Sequence, residues 1–349
     1  MISPQDTRDY IFDAPTLTPT TIDHDWDVTT ITSKVDLRQH TGAIEDQTIT
    51  NSCIGKTVIS ACEVLLSQAG VFRDLSSLFV YYNARAQYGT VTDSGTNFVS
   101  ALSQATKRGV CDLNLWPYDP TKVNDTPTDA AYNDGLTRLV TRYERIGAIG
   151  KDAQGNNQLE ANRVITDARI ALHCGYPVLF AMGLHNSFND WRGDVAKTIY
   201  KQPVITSSSE GYMGHHAMLA VGYDNVRKCF IVENSWGTGW GDGGYALIDY
   251  DTFGENAAAN DSFIVREFAG IRREIPESLY ISRSMQPLAT DQQIRDYVIP
   301  MVDSAIAYLE KVTNINAKCR EFKISRVILA RAVGYPLHIV NRYLDGLWT

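Results

Sequence analysis

The stretch Gly214–Tyr245 constrains the fold of this chain more than any other. It contains two short apolar runs, 217–221 and 229–232, each bounded by Gly, Asn or Asp residues that are typical of turns. This pattern predicts two antiparallel strands followed by a glycine-rich loop. In such a pair the start of the first strand lies beside the end of the second, so we expect His216 to lie near Asn234. A histidine beside an asparagine is half of a Cys-His-Asn catalytic site.

Cys53 lies in the first turn of a predicted helix. Apolar residues recur at helical spacing from Cys53 to Leu66, Gly70 ends the pattern, and Asn51 and Ser52 are expected to cap the start. Several N–H groups and the positive end of the helix dipole face outward at such a position. Both favour a thiolate over a thiol, and the thiolate is the nucleophilic form of cysteine.

The motif HHAMLAVGYD followed by ENSWGTGWGDGGY closely resembles the histidine and asparagine region of papain-like cysteine peptidases. The apolar run and loop at 176–188 look like the bacterial and phage-type branch of that family. The resemblance implies a nucleophilic cysteine near the start of the first long helix, a position that Cys53 matches. Gln47, six positions earlier, matches the family's oxyanion glutamine. The implied catalytic residues are Gln47, Cys53, His216 and Asn234, with no metal and no cofactor. Thr50 stands where the family often has a second cysteine that forms a disulfide.

The resemblance also assigns roles within this set. Cys53 would attack the carbonyl carbon, and His216 would protonate the leaving amine and then activate water. Asn234 would orient the His216 ring, and Trp236 would keep water away from the bond between them. The Gln47 side chain and the Cys53 N–H would together stabilise the oxyanion.

Two other histidines and one glycine are further candidates for functional residues. His215 precedes His216, but neighbouring side chains on a strand face opposite ways, so only one of the two can face Cys53. The family motif selects His216. His185 follows a predicted buried strand and lies in a loop without an asparagine partner. Gly95, in the loop before a predicted helix, is a candidate backbone contact to substrate, against the simpler interpretation of a plain helix cap.

The composition is ordinary for a soluble globular protein of 349 residues, with 44% hydrophobic and 21% charged residues. The net charge of −8 argues against a protein that coats nucleic acid or anionic membrane. No apolar run approaches the roughly 20 residues of a membrane span, and the first residues lack the regions of a secretory signal. We therefore expect a cytoplasmic protein, or one carried in a particle such as a virion, with no membrane contact. The six cysteines contain no CxxC pair and read as reduced thiols.

Three parts are predicted along the chain: an extended arm at 1–34, a papain-like peptidase domain at 35–275 and a helical extension at 276–349. The resemblance implies an α+β fold for the domain, with a helical lobe and an antiparallel β lobe. The arm is rich in Thr, Asp and Pro and shows no periodicity. Nothing in it has the length or pattern of the helical inhibitory prodomain that papain-like zymogens usually carry.

The helical extension ends in a basic segment, 311–349. Seven basic residues minus two acidic ones leave a local charge of +5 on an acidic chain. The segment also has the approximate spacing of a helix-turn-helix, which raises nucleic-acid binding as a hypothesis. A small helical bundle that packs on the body or on a neighbouring subunit is the favoured interpretation.

The leading hypothesis is a cysteine peptidase that hydrolyses peptide or related amide bonds in a polypeptide substrate. The alternative is a structural or interaction component of a larger assembly, such as a phage virion, that retains the peptidase fold. In that case 1–34 and 276–349 would contact the assembly partners.

Overall fold

The structure is a computed structural model that describes residues 31–89, 91–147, 149–151, 157–159, 161–192 and 198–273. Most of the predicted arm at 1–34 and the whole predicted extension at 276–349 lie outside these residues. The three-part division, the basic segment 311–349 and the assembly contacts therefore stay predictions. No helix in the described part of the chain combines the length and the apolar character that crossing a membrane requires.

Seven α-helices form in the described residues, and two of the longer ones begin at a side-chain cap. Ser76 accepts a hydrogen bond from the Phe79 N–H at 3.2 Å, and Asn97 accepts one from the Ser100 N–H at 2.8 Å. The helices are α1 (Cys53–Gln68), α2 (Ser77–Ala86), α3 (Phe98–Arg108), α4 (Asp129–Gly135), α5 (Ala161–His173), α6 (Asn186–Asn189) and α7 (Tyr250–Asn256).

Ten strands follow the same chain order, and all the pairings among them are antiparallel. They are β1 (Lys34–Asp36), β2 (Val140–Arg145), β3 (Ile149–Lys151), β4 (Asn157–Leu159), β5 (Val178–His185), β6 (Tyr212–Asp224), β7 (Cys229–Glu233), β8 (Tyr245–Asp249), β9 (Ala257–Phe268) and β10 (Ile271–Arg272). The main sheet has the order β10-β9-β5-β6-β7-β8, with β2 also on β9 and β1 on β6. Strands β3 and β4 form a separate hairpin.

Helix α1 joins the helical part to the sheet. It packs against α2 and α3 on one side and against β6 and β9 on the other. Every residue from Ile54 to Leu66 is buried, so the helix has no solvent face over three turns. A helix that is buried all round is held by its neighbours rather than by its own propensity. Its first residue, Cys53, is thereby fixed relative to the sheet.

Ser52 is the N-cap residue of α1, as predicted, but its side chain makes no capping bond to the first turn. The Ser52 hydroxyl instead lies 2.7 Å from the Thr50 hydroxyl, and the Asn51 side chain donates to the Asp93 carbonyl oxygen at 2.8 Å. The expected capping by these two side chains is therefore wrong, because both have other partners.

The predicted strand pair is confirmed as β6 and β7. Leu219 pairs with Glu233 and Ala220 with Val232. Counting outward from Leu219 and Glu233, His216 and Asn234 fall on one face of the pair, because side chains alternate along a strand. His215 falls on the opposite face. The sheet register therefore separates the two neighbouring histidines.

The sheet also contains elements that the sequence analysis did not identify. Helix α7 is short and contains Gly254, so it carries no apolar stripe at helical spacing. Strand β8 directly follows the glycine-rich loop and has only five residues. Strand β10 pairs with β9 and extends the sheet beyond it. All three elements are short, with two to seven residues, so the local pattern is too brief to identify them.

Gly109 ends α3 in the left-handed region, with φ of 72°. A Cβ atom added there would come 1.8 Å from the Gly135 carbonyl oxygen, so backbone meets backbone at this point. Gly70 has a similar φ of 78° after α1, but an added Cβ would meet no atom within 4 Å. The two glycines therefore share a positive φ and differ in what an added Cβ would meet.

We expect Gly109→Ala to lower the free energy of unfolding by about 3 kcal/mol or more, because left-handed strain and a backbone clash add. Gly70→Ala is the matched control and should cost only about 1 kcal/mol, the conformational part alone. Denaturant unfolding of both variants measures the difference. Equal losses would contradict the role of the Gly135 contact.

Candidate active site

His216 and Asn234 meet as the sequence predicts. The His216 Nε2 atom lies 2.7 Å from the Asn234 Oδ1 atom. The Ser235 N–H donates to the same Oδ1 at 2.8 Å, which identifies that atom as the oxygen of the amide. An oxygen only accepts, so Nε2 must carry the proton of this hydrogen bond. In the neutral ring Nδ1 is then the nitrogen with a free lone pair.

The hydrogen bond between His216 and Asn234 is shielded from water. The two residues are 6% and 2% exposed. The Trp236 ring stacks on the His216 ring with centroids 4.7 Å apart and planes inclined by 30°. Phe188 packs edge-on against Trp236 at 5.7 Å, and the Trp240 indole N–H donates to the Phe188 carbonyl oxygen at 3.1 Å. An aromatic layer thus covers the site on this side.

Burial also decides the charge of the imidazole. It lowers the pKa of His216 to about 4, while the hydrogen bond to Asn234 acts in the opposite direction. Desolvation penalises the charged form of a buried group, so the ring by itself is neutral at physiological pH.

Cys53 lies half-buried at the start of α1, with its sulfur against β6. Burial raises the pKa of the Cys53 thiol, and the N–H groups of Ala217 and Ile54 lower it. Ala217 directly follows His216, so its contact places the sulfur beside the histidine strand. Burial therefore opposes the thiolate that the helix terminus was expected to favour. A charge on either partner has to be stabilised by the other.

Gln47 is held at both ends of its amide. Its Nε2 donates to the Thr50 carbonyl oxygen at 2.9 Å, and its Oε1 accepts from the Ser235 hydroxyl at 2.8 Å. The Gln47 N–H also donates to the Ser235 carbonyl oxygen at 2.9 Å. These bonds attach the turn before α1 to the residue that follows Asn234. The second hydrogen of Nε2 remains for another acceptor.

The four predicted residues thus come together on three segments: the turn before α1 with the first residue of that helix, the middle of β6, and the residue after β7. A comparison with known families matches residues 31–265 to the description "Papain family cysteine protease". The chain belongs to the papain family of cysteine proteases. It is accordingly a hydrolase that acts on peptide bonds in polypeptide substrates.

Relatives and solved structures agree with this assignment. An uncharacterized peptidase C1-like protein of Acanthamoeba polyphaga mimivirus is 33% identical over 227 residues, which cover 64% of this chain and 69% of the relative. Ananain of Ananas comosus is 26% identical over 151 residues, which are 41% of this chain and 34% of that protein.

Two solved structures share the fold. Xylellain, a cysteine protease from Xylella fastidiosa, superposes with a TM-score of 0.58 at 24% identity and covers 76% of this chain and 94% of its own. Digestive procathepsin L 3 of Tenebrio molitor gives 0.54 at 21% identity, with 71% and 74% covered. The predicted papain-like α+β fold is confirmed. The bacterial and phage-type branch stays a prediction.

The other predicted positions lie apart from this protease site or serve it indirectly. His215 points to the opposite face of β6 and its Nδ1 lies 2.7 Å from the Tyr212 hydroxyl. His185 ends β5, where its Nδ1 lies 2.8 Å from the Ser187 hydroxyl. Cys111 packs with aromatic residues in the helical core. The five cysteines in the described residues are all free.

Sequence reasoning missed the hydroxyl cluster that holds the turn before α1. The Tyr118 hydroxyl donates to the Gln47 carbonyl oxygen at 2.6 Å and lies 2.8 Å from the Thr50 hydroxyl. The Lys56 ammonium lies over the Tyr118 ring, 3.3 Å from its centroid. The only sequence signal was the replacement of a family cysteine by Thr50. Hydrogen bonds hold the turn at that position.

A second missed feature is a group of buried charges beneath the site. Lys56 is 2% exposed and forms an ion pair with Glu45. Burial raises the pKa of Glu233 to about 7, and it raises the pKa of Glu63 well above its ordinary value. The Tyr245 hydroxyl donates to Glu233 at 3.4 Å. Glu233 directly precedes Asn234, so this cluster lies under the asparagine.

The raised pKa of Glu233 predicts a pH-dependent stability. Between its ordinary pKa of 4.5 and about 7, the folded chain binds more protons than the unfolded chain, so the free energy of unfolding falls as pH rises. Glu233→Gln cannot ionise and removes this contribution. We expect the variant to gain up to about 3 kcal/mol over the native chain at pH 8, and much less at pH 4.5.

Denaturant unfolding between pH 4.5 and pH 8 measures this change. Glu210→Gln, at an exposed position, is the control and should follow the native profile. Parallel pH profiles for the native chain and Glu233→Gln would show that the buried carboxyl does not control this dependence.

Proposed function

We propose that Cys53 is the nucleophile of this protease, that His216 is its general acid and base, and that Asn234 orients His216. The observation that carries the proposal is the 2.7 Å hydrogen bond from His216 Nε2 to Asn234 Oδ1, shielded by Trp236. It fixes the ring so that Nδ1 is the basic nitrogen. The next residue on the strand, Ala217, contacts the Cys53 sulfur through its N–H.

The reaction follows from these positions. His216 Nδ1 takes the proton of the Cys53 thiol, and the sulfur attacks the carbonyl carbon of the substrate. The tetrahedral intermediate collapses to a thioester when His216 returns the proton to the leaving amine. A water molecule then gives a proton to His216, attacks the thioester and releases the second product with the free thiol.

The burial of Cys53 and His216 determines how the thiolate forms. Burial disfavours a lone thiolate and a lone imidazolium, as the raised pKa of Cys53 and the lowered pKa of His216 show. Transfer of the proton from sulfur to ring makes both charges at once, side by side. The opposite charges stabilise each other, so the thiolate forms by transfer within the pair and not by release to solvent.

We assign Gln47 the oxyanion role together with the Cys53 N–H. Gln47 lies in the turn that leads into α1, and Cys53 is the first residue of that helix. Two bonds, to Thr50 and Ser235, hold the Gln47 amide before substrate arrives. A donor that is fixed in advance needs no reorganisation when the negative charge develops on the carbonyl oxygen.

The assembly reading remains the alternative for this chain. The mimivirus relative makes a viral setting a reasonable hypothesis for the protease. The predicted contact segments 1–34 and 276–349 lie outside the described residues, as does the basic segment 311–349. A folded protein whose Cys53 shows no reactivity would favour this alternative.

Labelling with an epoxide inhibitor of papain-family enzymes tests the nucleophile. We expect one adduct, on Cys53, located by peptide mass in the native chain. It should be absent in Cys53→Ala and strongly reduced in His216→Ala, because the thiol then lacks its proton acceptor. The buried Cys62 and Cys111 should stay unlabelled in the folded protein. No adduct on folded protein, or equal labelling of His216→Ala, would sink the assignment.

Gln47→Ala tests the oxyanion role. We expect kcat on a fluorogenic peptide to fall about 10²–10³-fold with little change in KM, because the lost hydrogen bond forms only in the transition state. Ser235→Ala removes one support of the Gln47 amide and should give a smaller loss of the same kind. A rise in KM at constant kcat would instead mark Gln47 as a binding residue.

A further inference from the structure

Two side chains of α2 hold the loop from Thr92 to Gly95 through hydrogen bonds. Tyr81 and Arg85 are four residues apart, so they lie on the same face of the helix. Arg85 is 4% exposed, lies over the Tyr81 ring at 3.7 Å and donates to the Thr92 carbonyl oxygen. The Tyr81 hydroxyl accepts from the Gly95 N–H at 3.0 Å. Both ends of the loop are thereby attached to one helix.

Asp93 connects this loop to the turn that precedes Cys53. Its Oδ1 accepts from the Tyr81 hydroxyl at 2.6 Å and from the Asn51 N–H at 3.0 Å. The Asn51 side chain also donates a hydrogen bond to the Asp93 carbonyl oxygen at 2.8 Å. Asn51 stands two residues before Cys53. One carboxylate thus links the loop, α2 and the start of α1.

The bonds form a continuous chain from Gly95 to Asn51. The Gly95 N–H donates to the Tyr81 hydroxyl, the hydroxyl donates to Asp93, and Asp93 accepts from Asn51. Burial and the bond to Asp93 raise the pKa of Tyr81, so its hydroxyl stays a donor at physiological pH. Two donors converge on the side chain of Asp93, and a carboxylate is the side chain that accepts both.

This chain of bonds runs from the buried Tyr81 out to the surface. Asn51 is exposed and Asp93 is half-buried. At Gly95 an added Cβ would meet no atom within 4 Å, so the space in front of the loop is open. The contacts therefore fix the distance between an open edge at Gly95 and the turn before Cys53. A molecule that contacts both the Gly95 edge and the turn before Cys53 depends on that distance.

We propose that Asp93 is a positioning residue, which holds the Gly95 edge beside Cys53 for substrates that extend several residues from the scissile bond. The inference rests on the proposed role of Cys53 as nucleophile. An extended peptide contacts the loop and the sulfur together, and a small reagent reaches the sulfur alone. Loss of Asp93 therefore weakens reactions with extended molecules and leaves the reactivity of the thiol intact.

The test compares two reagents on the same sulfur. Iodoacetamide is too small to reach the loop, whereas a peptidyl epoxide with at least two residues beyond the epoxide spans it. We expect Asp93→Ala to lower the second-order rate of Cys53 modification by the epoxide about tenfold, and to change the iodoacetamide rate less than twofold. Tyr81→Phe should lower the epoxide rate by a smaller factor, because it keeps the Asn51 contact. Asp251→Ala, at an exposed position on α7, should match the native chain in both rates.

Each outcome is decisive. An equal fall in both rates with Asp93→Ala would mean general damage and would overturn the positioning role, and so would an unchanged epoxide rate. A native Cys53 that reacts with iodoacetamide and not with the epoxide would overturn it too. If His216→Ala leaves both rates unchanged, the nucleophile assignment fails separately, and the ratio of the two rates in Asp93→Ala still reports on the loop.

Discussion

The pairing of β6 with β7 is the constraint on which the site depends. It sets His216 and Asn234 on one face and turns His215 away. The segment after β7 then binds the turn before α1, where Gly237 donates to the Glu45 carbonyl oxygen and Gln47 to that of Ser235. A slip of one residue would exchange the two histidines and remove the ring from Asn234. The four proposed catalytic residues therefore depend on one register.

The site combines low exposure with groups that must become charged. The aromatic layer of Trp236, Phe188 and Trp240 excludes water from the His216–Asn234 bond, and it also makes an isolated charge costly. Paired charge and fixed N–H groups offset that cost at the moment of reaction. The same conflict between burial and charge exists beneath the site, where the Lys56–Glu45 pair lies beside the carboxyls of Glu63 and Glu233, whose pKa values burial raises.

Local pattern predicted the features that local physics determines. Short apolar runs bounded by turn residues indicated β6 and β7, and the short distance along the chain between His216 and Asn234 allowed their contact to be expected. The side-chain contacts that were missed depend on the fold. Asn51 has good cap chemistry, but Asp93, 42 positions away, engages its side chain. Ser235, Tyr118 and Asp93 are common polar residues, and only the fold shows what they contact.

The span of these contacts along the chain has a consequence for folding. Ser235 and Gln47 are 188 positions apart, and the bond between their side chains joins the two ends of the domain. Contacts of such high sequence separation form late, because they require closure of a long loop before they contribute any free energy. A chain that has not finished folding therefore has a cysteine and a histidine but no assembled site. The chain can hydrolyse peptide bonds only once its fold is complete. Partly folded copies of the protease therefore cannot cleave one another.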